Sequence, residues 1–370
     1  MSYHINELYT DISGKIQFIE ISLDPVNGET FRIDQTIRVT QDGSTTAIRL
    51  LKDLPNPNTA GATILVATQS FANLGIVTPD FIISDDFLFN CGSATVSLIN
   101  SDHSTSDAMT YFSLPIDGMN AINHDGVFGI NSPKNLAGAT GTVPGNETVG
   151  ATDGADNLVG TAGDDIIMAK AGNDILNGLA GNDKLDGGAG ADTVIFSGNS
   201  SDYVISAHGS CFNVSGPDGN DDLYNIERGH FLDKNLAADL AQGQAAGNTV
   251  RLIGAAFDAN NIIPEYVAIG LQLFDSGQSM LQASQMVVNT PLFISLAGSS
   301  SNVDFVNFVY QNVVGEQPSS AVRDSYVEML QGSGGTMTQA ELLILAANSS
   351  VNEANINLVG LYQSGVEYSG

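Results

Sequence analysis

The chain has 370 residues and 40 glycines, and 12 Lys and Arg set against 41 Asp and Glu give a net charge of −29. A pI near 4.1 excludes nucleic acid and anionic membrane surfaces as partners, because both would be repelled. At 42% hydrophobic the chain is not disordered, no apolar run reaches the roughly 18 residues of a membrane span, and the length suits two or three domains. Thirty of the 41 acids are Asp, a turn and cation-binding residue, which predicts loops that hold cations.

Residues 1–140 read as β-structure. Alternating or β-branched runs recur at Gln17–Ile21, Thr36–Val39, Thr63–Ala67, Phe81–Ile83 and Ala94–Ile99, with turn residues such as Asn27-Gly28, Asp42-Gly43 and Pro55–Asn58 between them. Short strands at this spacing predict a β-sandwich. The runs FIEI, ILVAT, TPDFII and SLPIDG resemble an uncharacterised bacterial extracellular domain and, more distantly, the lamin-tail, immunoglobulin-like sandwich. That resemblance brings no catalytic residues with it.

Residues 142–195 carry the clearest pattern. In nines the chain reads ATDGADNLV (151–159), GTAGDDIIM (160–168), AKAGNDILN (169–177), GLAGNDKLD (178–186) and GGAGADTVI (187–195). The fourth place is always Gly (Gly154, Gly163, Gly172, Gly181, Gly190). The sixth is always Asp (Asp156, Asp165, Asp174, Asp183, Asp192), and the eighth is always aliphatic (Leu158, Ile167, Leu176, Leu185, Val194). Residues 142–150 share the frame, with Gly145 and Val149, but place Glu147 at the sixth position.

Six residues make a glycine-dependent turn and three make a short strand with one inward aliphatic. Successive turns fall on opposite sides, so each Asp lies over the Asp two rows away. Stacked carboxylates and backbone oxygens can then enclose a hard cation. The pattern resembles the nonapeptide repeat of the RTX family, and the resemblance implies a parallel β-roll with calcium between its turns. Asp156 with Asp174, Asp165 with Asp183 and Asp174 with Asp192 make three full Ca2+ sites, and Glu147 with Asp165 offers a fourth. Three ions would take the charge from −29 to about −23 (−29 + 6). Tyr203, Ile205, Phe212 and Val214, a turn at Pro217-Asp218-Gly219, and then Asp221–Arg228 and Phe231–Asp233 resemble the closing cap of such rolls.

Residues 236–370 predict helices. Phe305, Phe308, Val309 and Val313 form one apolar stripe, and Val322, Tyr326, Met329 and Leu330 form a second; both are expected in the core. Ser279–Gln282 and Thr338–Glu341 read as capping boxes. Phe257, Pro264 and Ser279 match Tyr310, Pro318 and Thr338 as a loose duplication, and Phe305–Gly315 resembles a helical domain of unknown function common at the end of RTX proteins.

HExxH, GxSxG and GxxxxGK[ST] are absent, and the five histidines lack zinc-ligand spacing. His124-Asp125 reads as an exposed loop pair and Asp85-Asp86 as a solvated turn. Cys91 and Cys211, 120 residues apart, are expected as unpaired thiols. The start MSYHINELYT has neither a basic n-region nor an apolar h-region, which leaves a cytoplasmic protein or one exported without a cleaved N-terminal leader as the expectation.

The whole predicts a multidomain β plus α protein: an N-terminal β-sandwich (1–140), a central parallel β-roll with capping strands (141–235) and a C-terminal α-helical domain (236–370). The expected function is non-enzymatic: a calcium-dependent structural or adhesive protein on the surface of a Gram-negative bacterium, exported by type I secretion as the RTX resemblance implies. Its expected partners are copies of itself and cell-surface polysaccharide. The alternatives are a secreted glycan- or surface-binding module and a hydrolase within residues 1–140.

Overall fold

A computed structural model describes residues 3–23, 32–53, 62–143, 150–208 and 211–370. Near the N-terminus, strands Tyr3–Thr10, Gln17–Leu23, Thr63–Thr68, Phe81–Ile83, Asn120–Asn123 and Phe128–Ile130 form a six-stranded sheet. Strands Arg32–Gln41, Ser44–Asp53, Ala94–Asn100 and Thr105–Tyr111 form a four-stranded one. Alternation sets the layers, with a bulge between Ile5 and Glu7 keeping Ile5 and Leu8 on one face: these two with Ile19 and Ile21 of the first sheet, and Ile37, Val39, Val96 and Leu98 of the second, bury into one core. The predicted turn Asp42-Gly43 closes a hairpin in which Gln41 pairs with Ser44, both turn residues having positive φ. Asn27-Gly28 and Pro55–Asn58 lie outside the described residues.

The nonapeptide rows deliver their three-residue strands alternately to two parallel sheets. Asn157–Val159, Ile175–Asn177, Thr193–Ile195 and Arg228–His230 stack in one; Ile166–Met168, Lys184–Asp186 and Gly219–Tyr224 stack in the other. The eighth-place residues Leu158, Ile167, Leu176, Leu185 and Val194 all bury between the sheets. Phe196, Tyr203 and Phe231 pack ring against ring at the end of this core. The first sheet then continues antiparallel through Asn235–Ala237 to Val366–Tyr368, so residues near the chain's end complete the sheet begun by the repeats.

Helices Ala245–Phe257, Pro264–Asp275, Met280–Val288, Pro291–Ala297, Asn302–Val314, Ser320–Val327, Gln339–Ala347, Ser350–Asn355 and Leu358–Ser364 make up the remainder. Both capping boxes form, at Ser279 and Thr338. Phe305, Val309 and Val313 are buried, and Phe308 packs against the same core. The second stripe departs from expectation. Only Leu330 is fully buried, while Tyr326 and Met329 stay 39% and 38% exposed along a groove. The short helix that carries this stripe ends at Val327 and contributes no buried residue of its own.

A second correction concerns the cysteines. Cys91 and Cys211 are joined by a disulfide, with 5.9 Å between their Cα atoms. The N-terminal sheets and the repeat segment pack together around Ile12, Ile116, Met168 and Tyr224, which brings distant parts of the chain into contact. Separation in sequence carries no information about that contact.

Candidate metal centre

Each of the last three rows presents its sixth-place Asp to the row two places before it. Asp156 N donates to Asp174 Oδ1 (2.7 Å), Asp165 N to Asp183 Oδ1 (2.9 Å) and Asp174 N to Asp192 Oδ1 (2.7 Å). The three pairs expected from the spacing are therefore brought together, each across eighteen residues. Glu147, with Gly145 and Val149, lies outside the described residues.

The second carboxylate oxygen divides the rows into two kinds. Asp156 Oδ2 accepts from Thr152 N and Oγ1, and Asp165 Oδ2 accepts from Thr161 N and Oγ1. In the next three rows the second place turns to positive φ, at Lys170, Leu179 and Gly188. There Asp174 Oδ2, Asp183 Oδ2 and Asp192 Oδ2 are buried with no hydrogen-bond partner. A buried carboxylate oxygen without a partner is costly, and a cation is the usual remedy.

Glycine makes the room. A Cβ on Gly178 would sit 2.1 Å from Asp183 Oδ2, and one on Gly187 would sit 2.6 Å from Asp192 Oδ2 and 2.4 Å from Asn225 O. Between rows, a Cβ on Gly190 would lie 1.6 Å from Gly172 O. Carboxylates and backbone carbonyls thus crowd into spaces that a side chain would fill. Among the described residues no three His, Cys, Asp or Glu side chains converge as a metal cluster, so a cation here would need backbone oxygens as well. Such a mixed, all-oxygen donor set suits calcium.

The electrostatics agree. Burial first, then the charges of Asp174 and Asp186, push the Asp192 carboxyl up to about 7. Burial, with Asp183, Asp218 and Asp222 nearby, takes Asp221 to about 6, and burial also raises Asp183. Glu227 is pushed to about 7 by burial and the charge of Asp192, although the backbone N–H of Asp192 works against this.

Sequence reasoning missed several members of the array. Glu227 Oε2 accepts from Asp192 N (2.8 Å), and Asp221 Oδ1 accepts from Asp183 N (3.0 Å). Fifth-place side chains also bridge rows: Asp164 Oδ1 accepts from Asn182 N, and Asn173 Oδ1 from Ala191 N. The run of Asp and Asn at the fifth place was the available signal. Elsewhere, His124 faces Asp107 (Nε2 to Oδ1, 3.3 Å) rather than the adjacent Asp125, and Asp85 accepts from Ser70 Oγ.

Residues 150–184, 159–194 and 168–202 each match the RTX calcium-binding nonapeptide repeat. The chain carries RTX repeats. Residues 283–356 match a domain of unknown function, DUF4214, which places that domain over the second part of the helical region. No curated protein matches the chain. The RTX repeats bind calcium, and the partnerless oxygens of Asp174, Asp183 and Asp192 are where this chain's donors fit it.

Proposed function

We propose that the protein is a calcium-folded extracellular structural or adhesive subunit, without catalytic activity, that assembles with copies of itself on the surface of a Gram-negative bacterium after type I secretion. The RTX segment would be a parallel β-roll flanked by a sandwich and a helical domain. The observation that carries the reading is the row of buried, partnerless oxygens on Asp174, Asp183 and Asp192. Without a cation these rows repel one another and hold the segment open; millimolar calcium outside the cell turns binding free energy into folding free energy. The Cys91–Cys211 disulfide supports an oxidising compartment. Among the described residues, no helix is long and apolar enough to cross a membrane.

Contacts between copies are assigned to the helical region. It opens two apolar grooves, of about 260 and 210 Å3. Met286, Val287, Thr290 and Leu292 line the first, and Leu345, Ala346, Ser349 and Val351 line the second at matched positions. A secreted binding module for a glycan or surface is the second reading. It is favoured by a cavity of about 600 Å3 between the N-terminal sheets and the repeats, lined by Ile116, Asp117, Phe128, Lys170, Asp186 and Tyr224 among others.

The test is a calcium titration of chelator-stripped protein, following circular dichroism and light scattering together. Folding followed by growth to large particles that dissolve in chelator is the expected result. A calcium-folded monomer would overturn assembly and leave the binding module. No response to calcium would overturn the reading as a whole.

A further inference from the structure

The repeat matches end at residue 202, yet the frame recurs beyond them. Residues 216–224 read Gly216-Pro-Asp-Gly219-Asn-Asp221-Asp-Leu223-Tyr224. This is the nonapeptide frame, with Gly at the fourth place, Asp at the sixth and Leu at the eighth. As a sequence it is masked twice. It follows the fifth row only after residues 196–215, and its Asp221-Asp222-Leu223 reads equally well as part of a closing cap.

Its geometry is that of a row. Strand Lys184–Asp186 pairs parallel with it in the register Lys184 to Asp222, Leu185 to Leu223, Asp186 to Tyr224, just as Ile166–Met168 pairs with Lys184–Asp186. Asp222 N donates to Asp183 O as Lys184 N donates to Asp165 O. Asn220 N donates to Asn182 Oδ1 as Asn182 N donates to Asp164 Oδ1. Gly219 has φ +135°, and a Cβ there would sit 1.6 Å from Gly181 O, the relation Gly190 has to Gly172. Leu223 is buried with the other eighth-place residues. Asp183 N donates to Asp221 Oδ1 across 38 residues in place of 18, and 38 − 18 = 20 is the length of the stretch 196–215.

We propose that residues 216–224 are a sixth repeat row, displaced by the excursion 196–215, and that Asp221 with Asp183 completes a calcium site beyond the matched repeats. The excursion folds back as the antiparallel hairpin of Val204–His208 and Cys211–Gly216, leaving the sheet's parallel order unbroken up to Gly219–Tyr224. The sign of a ligand is that Asp183, the residue the two sites share, keeps Oδ2 buried and partnerless while its Oδ1 accepts from Asp165 N and its own N donates to Asp221. Asp183 itself is 1% exposed. Because Cys211 sits on the excursion, the same device carries the disulfide partner of Cys91 to the N-terminal sheets.

The inference rests on the calcium reading, and the test separates the two. Full-length protein is stripped with chelator, and bound calcium is counted by equilibrium dialysis for the parent, Asp221→Asn and Asp222→Asn. Asn keeps an oxygen to accept from Asp183 N, and Asp222 is the neighbouring carboxylate paired with Lys184 at 3.1 Å. Asp221→Asn is expected to bind one ion fewer, with Asp222→Asn unchanged. An unchanged count and unchanged Kd values in Asp221→Asn overturn the sixth-row site while the calcium reading stands. A parent that binds no calcium overturns both. If Asp221→Asn fails to form the disulfide, Asp221→Glu decides: a full count with one Kd raised about tenfold or more supports the site, and an unaltered set of Kd values overturns it.

Discussion

Gly190 and Gly154 occupy the same place in their rows, but physics treats them differently. Gly190 has φ +150° and stacks on Gly172 O, whereas a Cβ on Gly154 would meet only Thr152 Oγ1, at 3.8 Å. A positive φ costs a residue with a side chain about 1–2 kcal/mol before any clash is counted. Gly190→Ala is therefore expected to raise the calcium midpoint for folding several-fold, and Gly154→Ala to leave it within twofold; circular dichroism against free calcium measures both. Asp192 makes the pH prediction. Its folded carboxyl stands at about 7, above the roughly 4 of an unfolded Asp. A raised acid binds protons that the unfolded chain has lost, so its contribution to metal-free stability is full below about 4 and disappears as pH rises through about 7. Metal-free protein should accordingly hold more folded repeat structure at pH 5 than at pH 8 by circular dichroism, with the difference reduced in Asp192→Asn. Calcium needs the same carboxylate deprotonated, so its affinity should rise over that window.

At the level of elements, local chemistry was legible and long-range contact was not. The repeat strands, the Asp stacking eighteen residues apart and both capping boxes follow from spacing alone, because each depends on neighbours in sequence or on a fixed period. Asp221 escaped that arithmetic because the excursion 196–215 breaks the period, and Glu227 because its row no longer follows the frame. The Tyr326 and Met329 stripe has helical spacing, but periodicity names a face without saying whether anything covers it. The disulfide was hidden for the reason that makes it effective. In the chain-entropy view, a link across 120 residues stabilises by about 4–5 kcal/mol, an upper figure given the structure that unfolded chains retain. Cys91→Ser with Cys211→Ser should lower the urea midpoint in saturating calcium while leaving calcium binding in place. Equal midpoints would show that the N-terminal sheets are held to the repeats by the contacts of Ile12, Ile116, Met168 and Tyr224 alone.

Across the whole molecule, the repeat rows and the helices share one structure through Arg228. This residue follows Glu227, whose carboxylate holds Asp192 N, and its strand lies beside Thr193–Ile195. Its guanidinium is 5% exposed; it pairs with Asp239, whose other oxygen accepts from Ala246 N in the first turn of helix Ala245–Phe257. It also reaches both carboxylate oxygens of Asp275, at 3.1 Å, at the end of helix Pro264–Asp275. Desolvation opposes the charged guanidinium, but the two aspartates prevail and hold its pKa above the ordinary Arg value. Removing one partner of such a buried cluster leaves the other charges unpaired and costs about 3–5 kcal/mol. The loss should fall at the junction, since Arg228 touches the fifth repeat row on one side and two helices on the other. Calorimetry in excess calcium is therefore expected to show the repeats and helices of the parent melting in one transition. In Arg228→Ala the helical transition should separate and move to lower temperature, while the calcium-dependent one stays near its original place. A single, unshifted transition in the variant would mean that the sheet running on to Val366–Tyr368 is enough to join the two, and that Arg228 is not the coupling.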